Sequence, residues 1–266
     1  MAAGQHRLAE NLLNSNVPRY VFTMSAMAEV DRLQRRLSPD QSHASLRIRM
    51  NPASSQVTPL HVACASDWHG HGPGRQADQV EVAVILQEHG ADLTALATYR
   101  GLPDVNPLFC ACWSSRNPAL VQWLLAQGVP ADISQLMAAL GHYQRHGRAA
   151  YDIAEILLDS GVPLEGLLPD SRTALQAFAH QGDHRTVNWL ISHGANVNFR
   201  NAAGRMAVHY AAERLTTPKT LALLVAHGAE LMAQDQNGQT PMEIARLNGK
   251  LRQVARIEQR MQQRSS

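Results

Sequence analysis

A group of possible metal ligands lies in and beside the polar, glycine-rich stretch Ser66–Gln79. Asp67, His69 and His71 fall inside it, and Cys64 stands just upstream. Imidazole, thiolate and carboxylate are all zinc ligands. Their spacing matches no standard zinc site, and a site needs three or four convergent ligands with supporting contacts. The stretch therefore favours a solvated surface loop, with a metal-binding protein or a metal-dependent enzyme as the alternative.

Cys110 and Cys112 are the other two residues whose side chains could react or bind a metal. Residues two apart on a helix point roughly 200° apart, so these thiols are poor joint ligands and at least one should pack in the core. With Cys64 the chain has three cysteines, which cannot all form disulfides within it. The cysteine count favours a reducing compartment.

No motif with a catalytic mechanism is present. The sequence lacks G-x-S-x-G, P-loop and H-E-x-x-H patterns. It shows no acid and base paired at a recognisable spacing. We therefore expect a protein that is not an enzyme and uses no cofactor.

Charge and hydropathy exclude two classes of partner. The 266 residues carry 24 Lys and Arg against 22 Asp and Glu, a net charge of +2, so no global field favours nucleic acid. No apolar run of about 18 residues predicts a membrane span. The N-terminus lacks the apolar core of a secretory signal. These features predict a cytoplasmic protein, or one delivered into a host cell without a classical signal peptide.

A repeated helix–turn–helix plan organises the chain and must position any site. It is clearest in Ser171–Asn198, where a threonine opens a short apolar helix and a second helix ends at a glycine. The closing glycines Gly90, Gly128, Gly161, Gly194 and Gly228 are 38, 33, 33 and 34 residues apart. A period of about 33 residues indicates a repeat array in which each repeat packs on its neighbours.

The opening motif identifies the kind of array. Thr58-Pro59-Leu60-His61-Val62-Ala63 is nearly the T-P-L-H-x-A signature, and Thr240-Pro241-Met242 is a second match. The chain thus resembles ankyrin-repeat proteins, and a stand-alone bacterial protein of this family is our interpretation. The resemblance implies an all-α solenoid of about six helix–turn–helix repeats with short β-hairpin loops. It also implies that His61 ties neighbouring loops together by hydrogen bonds.

The resemblance divides the chain into a helical N-terminal cap at 1–56 and an ankyrin-repeat domain at 57–266. An amphipathic helix over Val21–Leu37 should cover the exposed end of the first repeat, and the alternative is that its apolar stripe contacts a partner helix. The first repeat carries an insertion within Ser66–Gln79, which we expect to be a surface loop. The six repeats are placed near 57–92, 105–132, 133–163, 171–197, 204–231 and 238–262.

The family binds partners through hairpin tips and the exposed ends of first helices. The resemblance places the following residues at the tips: Tyr99, Arg100, Arg172, Phe199, Arg200, Arg205, Gln236 and Asn237. It places Trp113, His180, Glu213 and Arg214 at the helix ends. Arginine and aromatic residues are enriched in binding hot spots. Five arginines against one glutamate predict a partner with an acidic surface.

The predicted function is a non-catalytic protein–protein interaction module. An adaptor, an immunity-type inhibitor of a toxin and an effector acting inside a host all remain open as its role. A monomer that binds a protein, and neither nucleic acid nor membrane, is expected. The metal-dependent alternative would use Cys64, Asp67, His69 and His71.

Overall fold

The computed structural model describes residues 30–37, 44–47, 55–66, 73–142, 149–214 and 218–249. The chain divides into two compact units, Met1–Gly161 and Val162–Ser266. Each is built from pairs of short helices. Most of the N-terminal cap, residues 67–72 of the predicted insertion and the region after residue 249 lie outside the described residues.

Unit 1 begins, within the described residues, with a helix that precedes the first repeat. Its α-helices are α1 (Val30–Leu37), α2 (Pro59–Ala65), α3 (Pro73–Glu88), α4 (Pro107–Cys110), α5 (Pro118–Ala126), α6 (Ile133–Ala139) and α7 (Tyr151–Asp159). A π-helical turn, Ala111–Ser115, continues α4. Strands β1 (Ala97–Tyr99) and β2 (Leu102–Val105) form an antiparallel hairpin.

Unit 2 repeats the same plan. It contains α8 (Ala174–Gln181), α9 (His184–Ser192), α10 (Ala207–Arg214), α11 (Pro218–Ala226) and α12 (Pro241–Leu247). First helices pack on first helices, α8 against α10 and α10 against α12, and the second helices α9 and α11 pack together. Unit 1 follows the same rule, with α2 against α4 and α3 against α5. The predicted all-α ankyrin-type arrangement is confirmed in both units.

Side-chain caps start the first helices. Thr58, Thr173 and Thr240 each accept a hydrogen bond from the backbone N–H three residues on, and that third residue reaches back to the threonine N–H. This reciprocal arrangement satisfies two donors that a helix N-terminus leaves open. Asn106 caps α4 through its Oδ1, 2.8 Å from the N of Phe109. Asparagine therefore takes the capping role of threonine in this repeat.

The third residue of a first helix also reaches the next hairpin. His61 accepts a hydrogen bond at Nδ1 from the Thr58 hydroxyl, at 2.8 Å, and donates from Nε2 to the Val105 carbonyl, at 3.0 Å. His209 likewise donates to the Ala233 carbonyl, at 3.1 Å. Gln176 does the same with one amide nitrogen, which donates to the carbonyls of Phe199 and Arg205, each at 3.0 Å. The linking role that the resemblance implied for His61 is confirmed.

In the hairpins that lead into first helices, the residue two positions before the helix cap has a left-handed backbone conformation. Gly204 and Gly238 take it with φ of 70° and 72°, where glycine pays no Cβ penalty. Gln56, Asp104 and Ser171 hold the same position with φ of 59°, 54° and 62°. The sequence pattern hides these three turns, because the glycine that marks them is absent.

The region before the first repeat contacts it as one repeat contacts the next. Leu33 and Leu37 are fully buried, and α1 packs against α3. Ser45 Oγ donates to the Gly90 carbonyl at 2.8 Å, as Asn198 Nδ2 donates to the Gly228 carbonyl at 3.0 Å. The described part of the predicted cap therefore has the contacts of the second half of a repeat.

The predicted insertion loop is wrong over residues 73–79. Helix α3 begins at Pro73, an N-terminal position that tolerates a missing N–H. Gln79 is 1% exposed and donates to the carbonyls of Ala63, at 2.6 Å, and Ser66, at 3.1 Å. Asn117 in turn donates to Gln79 Oε1 at 3.1 Å. This buried amide network extends the helix into what composition alone marks as loop.

Candidate binding clusters

One group of predicted site residues in unit 2 gathers around Tyr210. We define the Tyr210 cluster as Arg172, His180, Arg205, Tyr210 and Glu213. The Cζ atoms of Arg172 and Arg205 lie 5.8 and 5.1 Å from the centre of the Tyr210 ring. His180 meets the same ring edge to face, with centroids 6.1 Å apart. The cation–π contacts of Arg172 and Arg205 with Tyr210 stabilise the guanidiniums without using their N–H donors.

Carboxylates of the same unit hold both arginines of the cluster. Arg205 pairs with Glu213 at 2.9 Å and with Asp235 at 3.3 Å. Arg172 pairs with Asp170 through a short contact to Oδ2. The guanidiniums are therefore oriented before any partner arrives, which lowers the entropy lost on binding.

These contacts shift the pKa values of two titratable groups. Burial, and then the charge of Arg172, lowers the pKa of His180, so the ring is neutral at pH 7 and accepts a hydrogen bond from Arg172 at 3.4 Å. Burial raises the pKa of Asp235, but backbone N–H groups of Gln239 and Asn237 and the Arg205 guanidinium outweigh it. The pKa of Asp235 consequently lies below its usual range, and its side chain stays charged.

The remaining predicted residues of unit 2 lie on or beside the hairpins. Arg200 donates to the Gln234 carbonyl at 3.0 Å and lies 3.5 Å from Glu230, so it links two successive hairpins. Phe199 is only half-exposed. Arg214, at the end of α10, and the tip residues Gln236 and Asn237 are exposed.

The charge of this face differs from the expectation. Arg172, Arg200 and Arg205 all pair with carboxylates: Asp170, Glu230, Glu213 and Asp235. With Arg214, the face carries four arginines and four carboxylates. In this part of the chain, carboxylates beside the selected positions therefore offset the arginines that the sequence count left unopposed. The acids were missed because three of them lie outside the positions that the resemblance selects.

Tyr210 was also missed, although the sequence carries a signal for it. It stands three and four residues before Glu213 and Arg214, which places all three on one face of α10. Its hydroxyl accepts a hydrogen bond from Asn201 Nδ2 at 2.8 Å.

A second group of predicted residues lies in unit 1. We define the Arg100 cluster as Tyr99, Arg100, Phe109 and Trp113. The Arg100 Cζ lies 5.5 Å from the centres of both the Tyr99 and Trp113 rings. The expectation that Tyr99 and Trp113 are exposed is wrong, since each is 6% exposed. Arg100 is the exposed member of the trio.

The candidate metal ligands gain no support from the described residues. Asp67, His69 and His71 lie outside them. Cys64 is fully buried in α2, and burial raises the pKa of its thiol well above the usual range. Cys110 and Cys112 are buried with raised thiol pKa values as well. Within the described part of the chain, no three His, Cys, Asp or Glu side chains could hold a metal together.

Family models match the repeats in both units. A model described as ankyrin repeats (3 copies) matches residues 136–235 and 175–257, and a single ankyrin-repeat model matches 56–97. Together these matches span more than half of the sequence. The chain belongs to the ankyrin-repeat family.

Individual relatives match only parts of this ankyrin-repeat chain. An ankyrin repeat protein, L271, of Acanthamoeba polyphaga mimivirus is 40% identical over 65 residues, covering 24% of the chain and 9% of the relative. The E3 ubiquitin-protein ligase KEG of Arabidopsis thaliana is 24% identical over 177 residues, 62% of the chain and 11% of the relative. The chain thus spans about a tenth of the length of these relatives.

A solved structure supports the ankyrin fold over most of the length. The crystal structure of the human ASB11 ankyrin repeat domain aligns with a TM-score of 0.62 at 22% identity. The alignment covers 85% of this chain and 90% of that one. Among the described residues, every helix is too short or too polar to span a membrane.

Proposed function

We propose that this ankyrin-repeat chain binds a protein partner through unit 2, with the Tyr210 cluster at the centre of the contact. Ankyrin repeats are general protein-interaction modules, and their fold is typically non-catalytic. The observation that carries the proposal is that two arginines lie over one ring, Tyr210, and are each held there by carboxylates: Arg172 by Asp170, and Arg205 by Glu213 and Asp235. Tyr210 is itself buried, so the arginines make the contact, and arginine is one of the residue types that dominate binding hot spots.

The proposed partner surface is mixed in charge. Because the arginines of the cluster already carry carboxylate partners, a purely acidic surface would have to displace Glu213 or Asp170. A surface with both signs can pair with Arg214 and with Glu213 at the same time. Replacing ion pairs within the chain by ion pairs to the partner contributes more to specificity than to affinity. The tip residues Phe199, Arg200, Gln236 and Asn237 would form the rim of the contact.

The proposed role is that of a monomeric, non-catalytic binding protein in the cytoplasm or in a host cell. An adaptor, an immunity-type inhibitor and an effector would all use such a surface. Identifying the captured partner would distinguish these three roles.

The test exchanges two charges without changing their sum. The double variant Glu213→Arg plus Arg214→Glu should lose capture of the natural partner from lysate, because the pattern on α10 is reversed at constant net charge. Arg185→Glu, at an exposed position on α9 outside the cluster, is the control and should capture normally. Circular dichroism must show the same helix content in all three proteins. Full capture by the double variant would show that the Tyr210 cluster is not part of the interface.

A further inference from the structure

His180 is the neutral titratable member of the Tyr210 cluster. It lies in the last turn of α8 and is half-buried. Its Nδ1 accepts a hydrogen bond from Nη1 of Arg172 at 3.4 Å, and its ring meets the Tyr210 ring edge to face. Two further bonds join the Arg172 guanidinium to Asp170 Oδ2. His180 thus contacts Arg172 as an acceptor, which only a neutral imidazole can do.

The charges near His180 are mostly positive. Burial, and then the charge of Arg172, lowers the pKa of His180, and Arg214 and Arg205 act in the same direction. The carboxylate of Glu213, on α10, acts in the opposite direction. Helix α9 also packs on α8, and these charged or titratable residues cap or form its first turn: Asp183, His184 and Arg185. The ring therefore gains its proton at a pH below the usual 6.5.

A proton on His180 changes the contacts that the cluster can make. An imidazolium has two donors and no acceptor, so the hydrogen bond from Arg172 is lost and the two cations repel each other. Because two bonds to Asp170 keep Arg172 in place, the His180 side chain is the group that moves. The carboxylate near it is that of Glu213. In the neutral cluster, Glu213 accepts a hydrogen bond from Arg205 at 2.9 Å.

We propose that His180 is a proton-sensitive switch within the Tyr210 cluster. Protonation breaks its hydrogen bond with Arg172 and turns the imidazolium towards Glu213. The carboxylate then leaves Arg205 for His180, so the charge pattern that a partner meets changes with pH. The effect on binding rests on the proposed function of this cluster, but the switch itself is tested without the partner.

The experiment titrates the full chain from pH 7.0 to pH 5.0 and follows single side chains by two-dimensional NMR. The signals are the ring C–H groups of His180 and the Nε–H groups of Arg172 and Arg205. Each signal is assigned by its loss in one variant: His180→Gln, Arg172→Lys or Arg205→Lys. Circular dichroism at each pH must show a constant helix content.

His180 should titrate with a midpoint below 6.5, and both arginine signals should shift with that same midpoint. Arg172→Gln removes a positive charge beside the ring and should raise the midpoint. Glu213→Gln removes the carboxylate that attracts the imidazolium and should lower it. In His180→Gln, both arginine signals should stay constant, because an amide oxygen accepts from Arg172 at every pH.

His209→Gln is the matched control for the arginine signals. His209 also interacts with Arg205, and burial lowers its pKa, so it is the rival source of a shift at low pH. Glutamine can replace the bond from His209 to the Ala233 carbonyl, as Gln176 bonds to the Phe199 carbonyl. The shifts of Arg172 and Arg205 should therefore persist in this variant.

Four results would overturn the proposal: arginine signals that stay constant while His180 titrates, a His180 midpoint at or above 6.5, an unchanged midpoint in Glu213→Gln, or arginine shifts that persist in His180→Gln. If the midpoint lies below pH 5.0, Arg172→Gln decides the outcome, because its His180 titrates at a higher pH and Arg205 still reports. Partner capture by the Glu213 and Arg214 double variant is scored separately at pH 7.0. Failure of the switch and failure of the proposed function are therefore distinguishable.

Discussion

At the scale of single residues, His61 links stability to pH. Burial lowers its pKa from 6.5 to about 4, and this outweighs the hydrogen bond from Nε2 to the Val105 carbonyl, which acts in the opposite direction. A folded pKa below the unfolded value means that the unfolded chain binds the proton more tightly. Its contribution is therefore fully present above pH 6.5 and is lost as the pH falls towards 4.

We expect the free energy of unfolding to drop by about 3 kcal/mol from this residue alone between those limits, from about 1.4 kcal/mol per pKa unit. Urea denaturation at pH 7.5 and pH 4.5 measures it. His61→Gln is the matched variant, because Gln176 makes the corresponding bonds in unit 2 without titrating. An equally steep pH dependence in His61→Gln would show that other groups dominate.

The left-handed position before each helix cap allows a matched pair of substitutions in unit 2. Ser171, with a φ of 62°, is strained as an L-residue, so Ser171→Gly should stabilise the protein by about 0.5–1 kcal/mol after the entropy cost of glycine. Gly204→Ala should destabilise it by more than about 1 kcal/mol, because φ is 70° and the new Cβ would lie 3.1 Å from the Gln236 backbone N. Thermal unfolding of both variants decides this. A Ser171→Gly variant with a lower melting temperature would show that its conformation is not strained.

At the scale of elements, the two faces of α9 predict opposite responses. Leu190 is fully buried and Asn188 is exposed. Leu190→Ala should cost about 2–5 kcal/mol, since it removes packed atoms and leaves a cavity. Asn188→Ala, on the same helix, should change stability by less than about 0.5 kcal/mol.

Chemical denaturation of these two variants checks the orientation of the helix. A small effect of Leu190→Ala together with a large effect of Asn188→Ala would mean that α9 is rotated.

The buried hydrogen bonds between Gln79 and Asn117 also act between elements, because they hold the first turns of α3 and α5 together.

At the scale of the whole molecule, the charge balance predicts that nucleic acid is not a ligand. The net charge is +2, and carboxylates of unit 2 pair with Arg172, Arg200 and Arg205. Few phosphates could be neutralised, so binding to duplex DNA at 150 mM salt should be weaker than about 10⁻⁴ M, the weak end of non-specific affinities.

A fluorescence anisotropy titration with labelled duplex DNA measures this affinity. The variant Glu213→Arg plus Glu230→Arg removes the carboxylate partner of Arg200 and one of the two partners of Arg205, adds two positive charges, and should bind measurably at low salt. Micromolar binding by the unchanged chain would contradict the prediction.

The sequence by itself determined the repeat, because period and helix caps are local. Thr58, Asn106, Thr173 and Thr240 cap helices through bonds that span three residues, and glycines mark the turns at a near-constant spacing. The resemblance to ankyrin repeats that these features carry is confirmed. The same reasoning selected Arg172, His180 and Arg205, which contact the Tyr210 ring, and Glu213, which pairs with Arg205.

Only the tertiary structure decided exposure and charge pairing. Tyr99 and Trp113 lie at positions typical of a surface, yet Arg100 and Phe109 cover their rings. Arg205 meets Asp235 from 30 residues away, a contact that the stacking of successive hairpins creates. Burial of a ring and neutralisation of a charge depend on neighbours distant in sequence, and no local pattern encodes which neighbours those are.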